Sequence, residues 1–101
     1  MTANPVKNAD CVVLNGDKLP AETGGPDAVC EAIKQALLAS GFDRPVKVEI
    51  RVKSNAWLVA RIIRDGVALP EQNLAVADGK LQRGSVDRFA RAIAQAVSTA
   101  G

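Results

Sequence analysis

Cys11 and Cys30 are the residues of this chain whose type and spacing point most directly to a defined chemistry. One precedes Val12-Val13-Leu14, a short apolar run. The other stands beside Val29 and one turn before Ile33, on the inward side of a helical pattern. The pair therefore reads as a disulfide tying a strand to a helix, worth roughly 3 kcal/mol if it acts by restricting the unfolded chain. Such a link would place the protein in an oxidising compartment. The alternative is two buried thiols behaving as small apolar residues. Neither metal binding nor redox chemistry is expected, because no CxxC spacing accompanies the pair and the chain contains no histidine.

The lack of histidine also removes the commonest general base. Acids in loops remain (Asp17, Glu22, Asp65, Glu71 and Asp78) and could pair as a general acid and base. Carboxylates in turns are ordinarily solvated or capping groups. No catalytic residue is assigned, no cofactor is expected, and a small enzyme is the third and least favoured reading. Gly24-Gly25-Pro26 precedes a helix as an anion-binding loop would, but it lacks the lysine and flanking pattern of a phosphate loop. A plain loop leading into a helix is the simpler account.

Basic residues gather near the last helix, as Lys80, Arg83, Arg88 and Arg91, with Lys47, Arg51 and Lys53 on a strand. From these, Lys53, Arg83, Arg88 and Arg91 form a candidate basic patch, and a nucleic-acid-binding module is the alternative function. The ordinary account is a solvated helix face diluted by Asp87 and Glu49. A net charge of +2 and three aromatics (Phe42, Trp57, Phe89) give neither the charge density nor the stacking platform of a dedicated nucleic-acid binder, so that partner is disfavoured.

These side chains must be positioned by few elements. The chain has 101 residues, 48% of them apolar, which fits one globular domain. Residues 1–9 are polar with an early proline and read as a flexible arm; residues 10–101 read as a single domain. No apolar run approaches a membrane span and no cationic start followed by an apolar stretch marks a signal peptide. Met1 fits a native start and equally a methionine placed on a chain whose leader was removed.

Cys11 to Leu14 reads as a brief strand stopped by Asn15-Gly16-Asp17. Pro26 opens a helix whose stripe is Val29, Ile33 and Leu37, and Ser40-Gly41 closes it. Val46, Val48, Ile50 and Val52 alternate with Lys47, Glu49, Arg51 and Lys53, giving a strand with one wet face. Trp57 to Arg64 is a second strand, Asp65-Gly66 a hairpin turn, and Asn73 to Ala77 a weaker third strand. Ser85 is a plausible N-cap for a last helix with Val86, Phe89, Ala90, Ile93, Ala94 and Val97 on its apolar face. The expected fold is α+β: a two-layer sandwich in the order β-α-β-β-β-α, with two helices on one face of an antiparallel sheet of three or four strands.

A three-residue turn at Ser54 to Ala56, the preferred register, places Val52 opposite Leu58, Ile50 opposite Ala60 and Val48 opposite Ile62 on the inside. It pairs Lys53 with Trp57 and Glu49 with Arg61 on the outside. In this register, as in its two-residue alternative, the second strand carries apolar residues on both faces. The outer face is then either covered by the arm or a loop, or is a surface for a protein partner or a homodimer. The candidate partner surface is Trp57, Val59, Arg61 and Ile63.

The order helix–strand–strand–strand–helix, with Val46 to Ala100 ending in an alanine-rich helix, resembles the double-stranded-RNA-binding domain in topology. The departures fall where those domains touch RNA. The last helix begins Arg83-Gly84-Ser85-Val86-Asp87-Arg88 in place of a lysine cluster, and the loop Ser54-Asn55-Ala56 is short. Cys11 to Leu14, Gly24-Gly25, Cys30 with Ile33, Leu69-Pro70-Glu71, Asp78 and Arg88-Phe89-Ala90 are similar to small uncharacterised exported proteins of Gram-negative bacteria. That resemblance implies a removed signal peptide, bonded cysteines and a periplasmic or secreted location, with the cytoplasm as alternative; it implies no activity. The leading expectation is a small non-catalytic accessory or protein-interaction domain.

Overall fold

The alternating run builds strand β2 (Val46–Ser54), with Val46, Val48, Ile50 and Val52 buried and its charged residues on the other face. This computed structural model describes residues 9–42, 45–77 and 79–99. The expected arm, apart from the backbone of Ala9, and Asp78 lie outside the described residues.

Strand β3 (Trp57–Arg64) runs antiparallel to β2 in the expected inner register, Val48 opposite Ile62, Ile50 opposite Ala60 and Val52 opposite Leu58. The turn differs. Asn55 and Ala56 form its tip, Ser54 pairs with Trp57, and the extra residue is accommodated by a register shift between Val52 and Ser54. Lys53 is thus the irregular residue and not the partner of Trp57. The next turn is as expected: Asp65 (φ 54°) and Gly66 (φ 80°) both take left-handed backbone, as a tight two-residue hairpin requires. It leads to a two-residue strand β4 (Val67–Ala68). The chain then forms β5 (Gln72–Ala75), two residues shorter at its end than the expected strand, and β4 and β5 share the second edge of β3.

The expected antiparallel sheet is corrected by β1 (Ala9–Leu14). It lies parallel to β2, with Cys11 beside Val48 and Val13 beside Ile50, and the sheet is mixed, with five strands among the described residues. The cause is the connection: helix α1 (Pro26–Ala39) lies between β1 and β2, and a strand that returns through a helix enters the sheet in the same direction.

Helix α1 buries Val29, Ile33 and Leu37, and helix α2 (Arg83–Thr99) buries Val86, Phe89, Ala90, Ile93, Ala94 and Val97. All join one core with the inward side chains of β2 and β3, so both helices cover the same sheet face. They run in the same direction. The Arg83 guanidinium lies near Gly24 at one end, and Ser98 Oγ donates to Ser40 Oγ (3.4 Å) at the other. Ser85 is not the cap: α2 begins two residues earlier, with the Gln82 carbonyl accepting from the Val86 N–H (3.1 Å). Just before the helix, Leu81 is fully buried outside any helix or strand, and its N–H donates to the Asn55 carbonyl (2.9 Å).

Cys11 and Cys30 are bonded, which ties β1 to α1 across 19 residues of chain.

Candidate functional site

The outer sheet face is read from register. Across the strands, Leu14, Arg51, Val59 and Asn73 form one row; Val12, Glu49 and Arg61 the next; Asp10, Lys47, Ile63 and Ala68 a third. Strand β2 contributes charges throughout, while its neighbours contribute apolar groups: Val12 and Leu14 on one side, Trp57, Val59 and Ile63 on the other. A charged stripe thus lies between two apolar ones.

The four residues of the candidate partner surface, Trp57, Val59, Arg61 and Ile63, share this face on β3. Trp57 is 43% exposed. Its indole is nevertheless held: Nε1 donates to Asn73 Oδ1 (3.1 Å), and Lys53 Nζ stands 5.6 Å from the ring centroid. Around it, Glu49, Arg51, Val59, Arg61 and Glu71 complete a shallow depression of about 200 Å³. The expected Glu49–Arg61 pairing is present in register, but the carboxylate accepts from Arg51 Nη2 instead (3.2 Å). Arg61 is exposed in the same depression, with no ion pair among the described residues.

The candidate basic patch is not one patch. Arg83 and Arg91 line a groove of about 420 Å³ between α1 and α2, where Asp87 stands one turn from each and Glu31 faces them. Arg88 lies on the flank of α2 toward β5, with Leu74, Val76 and Phe89. Lys53 is on the opposite layer, over Trp57. Lys80 is engaged with Glu22: its Nζ donates to Glu22 Oε2 (3.0 Å), and this hydrogen bond holds the Glu22 carboxyl below its ordinary pKa.

The loop acids occupy separate turns. Asp17 lies after β1, Glu22 pairs with Lys80, Asp65 forms the β3–β4 turn beside Arg64, and Glu71 borders the outer face. Among the described residues no group of three or more His, Cys, Asp or Glu is placed to hold a metal ion, and no helix is long and apolar enough to cross a membrane.

Sequence alone did not mark Arg64 as an inward residue. Arg64 points inward at the end of β3, 8% exposed, with its guanidinium 5.6 Å from the Phe42 ring centroid. Its Nε lies 3.9 Å from Asp65 Oδ2 and has no hydrogen-bond partner among the described residues. The parity of β3 was the available signal, since Leu58, Ala60 and Ile62 put position 64 on the same side.

Compared with known proteins, the chain matches no family, no curated protein and no solved structure.

Proposed function

We propose that this chain is a small non-catalytic interaction domain that works in the periplasm or outside the cell and binds a protein partner through its outer sheet face. The observation that carries the reading is Trp57. A large aromatic, substantially exposed yet fixed by Asn73 and Lys53, has already lost the freedom that binding would otherwise cost. Tryptophan and arginine are the residues most often found at the energetic centre of an interface, and Arg61 stands in the same depression. The extracytoplasmic part of the reading is supported by the Cys11–Cys30 bond, since such bonds persist in oxidising compartments.

The surface is tested by affinity capture from the native host with three immobilised proteins: wild type, Trp57→Ala, and Arg88→Glu as a control on the other layer. The expected result is a partner held by wild type and by the control and lost from Trp57→Ala. A partner retained by Trp57→Ala places binding elsewhere and defeats the proposal. The compartment is tested separately, by alkylating the unfolded protein from that host before and after reduction and weighing it intact. Thiols that label only after reduction are expected. Free labelling without reductant removes the extracytoplasmic assignment.

A further inference from the structure

The two edges of the sheet are unequal. On one side the edge is broken into β4, two residues long, and β5, four residues long, with Pro70 between them. Short strands and proline are the devices that keep an edge from pairing with another chain. On the other side β1 is paired to β2 in register from Ala9 to Leu14, and among the described residues β2 is its only strand neighbour. Its six residues include one charge, Asp10, and no lysine, proline or glycine. The disulfide fixes this strand to α1, so its free edge is a rigid template.

We propose that two copies of this chain associate through this edge, β1 against β1, antiparallel about a two-fold axis perpendicular to the sheet and passing by Val12. Such an axis keeps the helices of both copies on one face, and it requires residues of equal parity to stand opposite each other. Centred on Val12, it sets Val12 against the second copy's Val12, Asp10 against the second copy's Leu14, and Cys11 against the second copy's Val13. Val12 (48% exposed) and Leu14 (38% exposed) are two of the four exposed large apolar side chains among the described residues, and this register gathers both from each copy into one outer cluster. It opposes no like charges. Asp10 comes beside a leucine whose neighbour on β2 is Arg51, so the strand's one carboxylate approaches a cation of the other copy. Slipping two residues toward Val13 leaves three rows, and slipping toward Cys11 pairs Ala9 to Val13 and moves Leu14 outside those five rows. The second copy therefore fits this edge in one register, and the two outer faces become one continuous surface.

The test is sedimentation of the intact oxidised protein across a dilution series, with Val12→Lys and Val67→Lys. Val67 is 61% exposed on the opposite edge and serves as the control. Wild type and Val67→Lys are expected to dimerise with equal affinity. Val12→Lys, which places two ammonium groups face to face, is expected to weaken the dimer at least about tenfold. A measurement on wild type alone is independent of the variants: hydrogen exchange of the amides of residues 10–14 should slow as concentration rises. A protein that stays monomeric throughout, a dimer indifferent to Val12→Lys, or concentration-dependent protection outside β1 would each overturn the proposal.

Discussion

Replacing both cysteines, as Cys11→Ala/Cys30→Ala, is expected to lower the unfolding free energy by about 3 kcal/mol, and reducing the wild-type bond should do nearly the same. The link closes a loop across 19 residues that holds two single turns of 3-10 helix, Gly16–Lys18 and Ala21–Thr23, and the first turn of α1. In the unfolded ensemble those residues have little regular structure to restrain them, so the cross-link removes much of their freedom. In the folded state β1 retains its pairing with β2 and the packing of Val13 against the core, so the fold itself survives the change. A domain of this size has a total stability of about 5–15 kcal/mol, so the loss is a large fraction of it. Thermal midpoints should fall by roughly 10–25 °C. Denaturant unfolding of the oxidised, reduced and double-alanine proteins separates the contributions. If reduction alone reproduces most of the loss, the bond is the cause. If reduction leaves the midpoint unchanged while alanine lowers it, the contribution comes from packing of the half-buried sulfurs and the entropic account fails.

What could be read from the sequence follows from how local each signal is. The stripes Val29–Ile33–Leu37 and Val86–Phe89–Ile93–Val97 were legible because a helix repeats its buried face every turn, and every one of those residues is in the core. The inner register of β2 and β3 was legible because only one parity buries Val48, Ile50 and Val52 together with Leu58 and Ile62. The same parity puts Trp57, Val59, Arg61 and Ile63 on one outer face. Whatever depended on a neighbour distant in sequence was not legible. Val12-Val13-Leu14 does not say which strand lies beside it, so neither the parallel pairing of β1 nor the outward exposure of Val12 and Leu14 could be read from the run itself. A usable signal existed in the long, helix-containing connection between β1 and β2, since short turns make antiparallel pairs and helical crossovers make parallel ones. The basic patch failed for a related reason. Arg83, Arg88 and Arg91 are close in sequence, but a helix distributes them over two flanks, and Lys53 belongs to the other layer.

Leu81 carries this lesson into a measurable quantity. It lies in no helix or strand, between Lys80 and Gln82, and no periodic pattern includes it. In the folded protein it is 0% exposed and belongs to the same core as Ile33, Leu58 and Ile93. Its N–H donates to the carbonyl of Asn55 at the β2–β3 turn, so the backbone cannot easily move inward to fill a void. A site that cannot collapse pays both the lost transfer energy of the deleted carbons and the cost of the cavity. Leu81→Ala is therefore expected to destabilise by about 3–4 kcal/mol, as much as truncation inside a central strand. Leu69 provides the contrast: it too lies in a connecting segment, but it is only half-buried at the margin of the core, and Leu69→Ala should cost about 1–2 kcal/mol. Urea unfolding of the two variants beside wild type decides the matter through the midpoint at constant slope. Equal and small losses would mean that the linker yields and fills the space. A much larger loss for Leu81→Ala would mean that the segment before the last helix is held to the hairpin by a full member of the core.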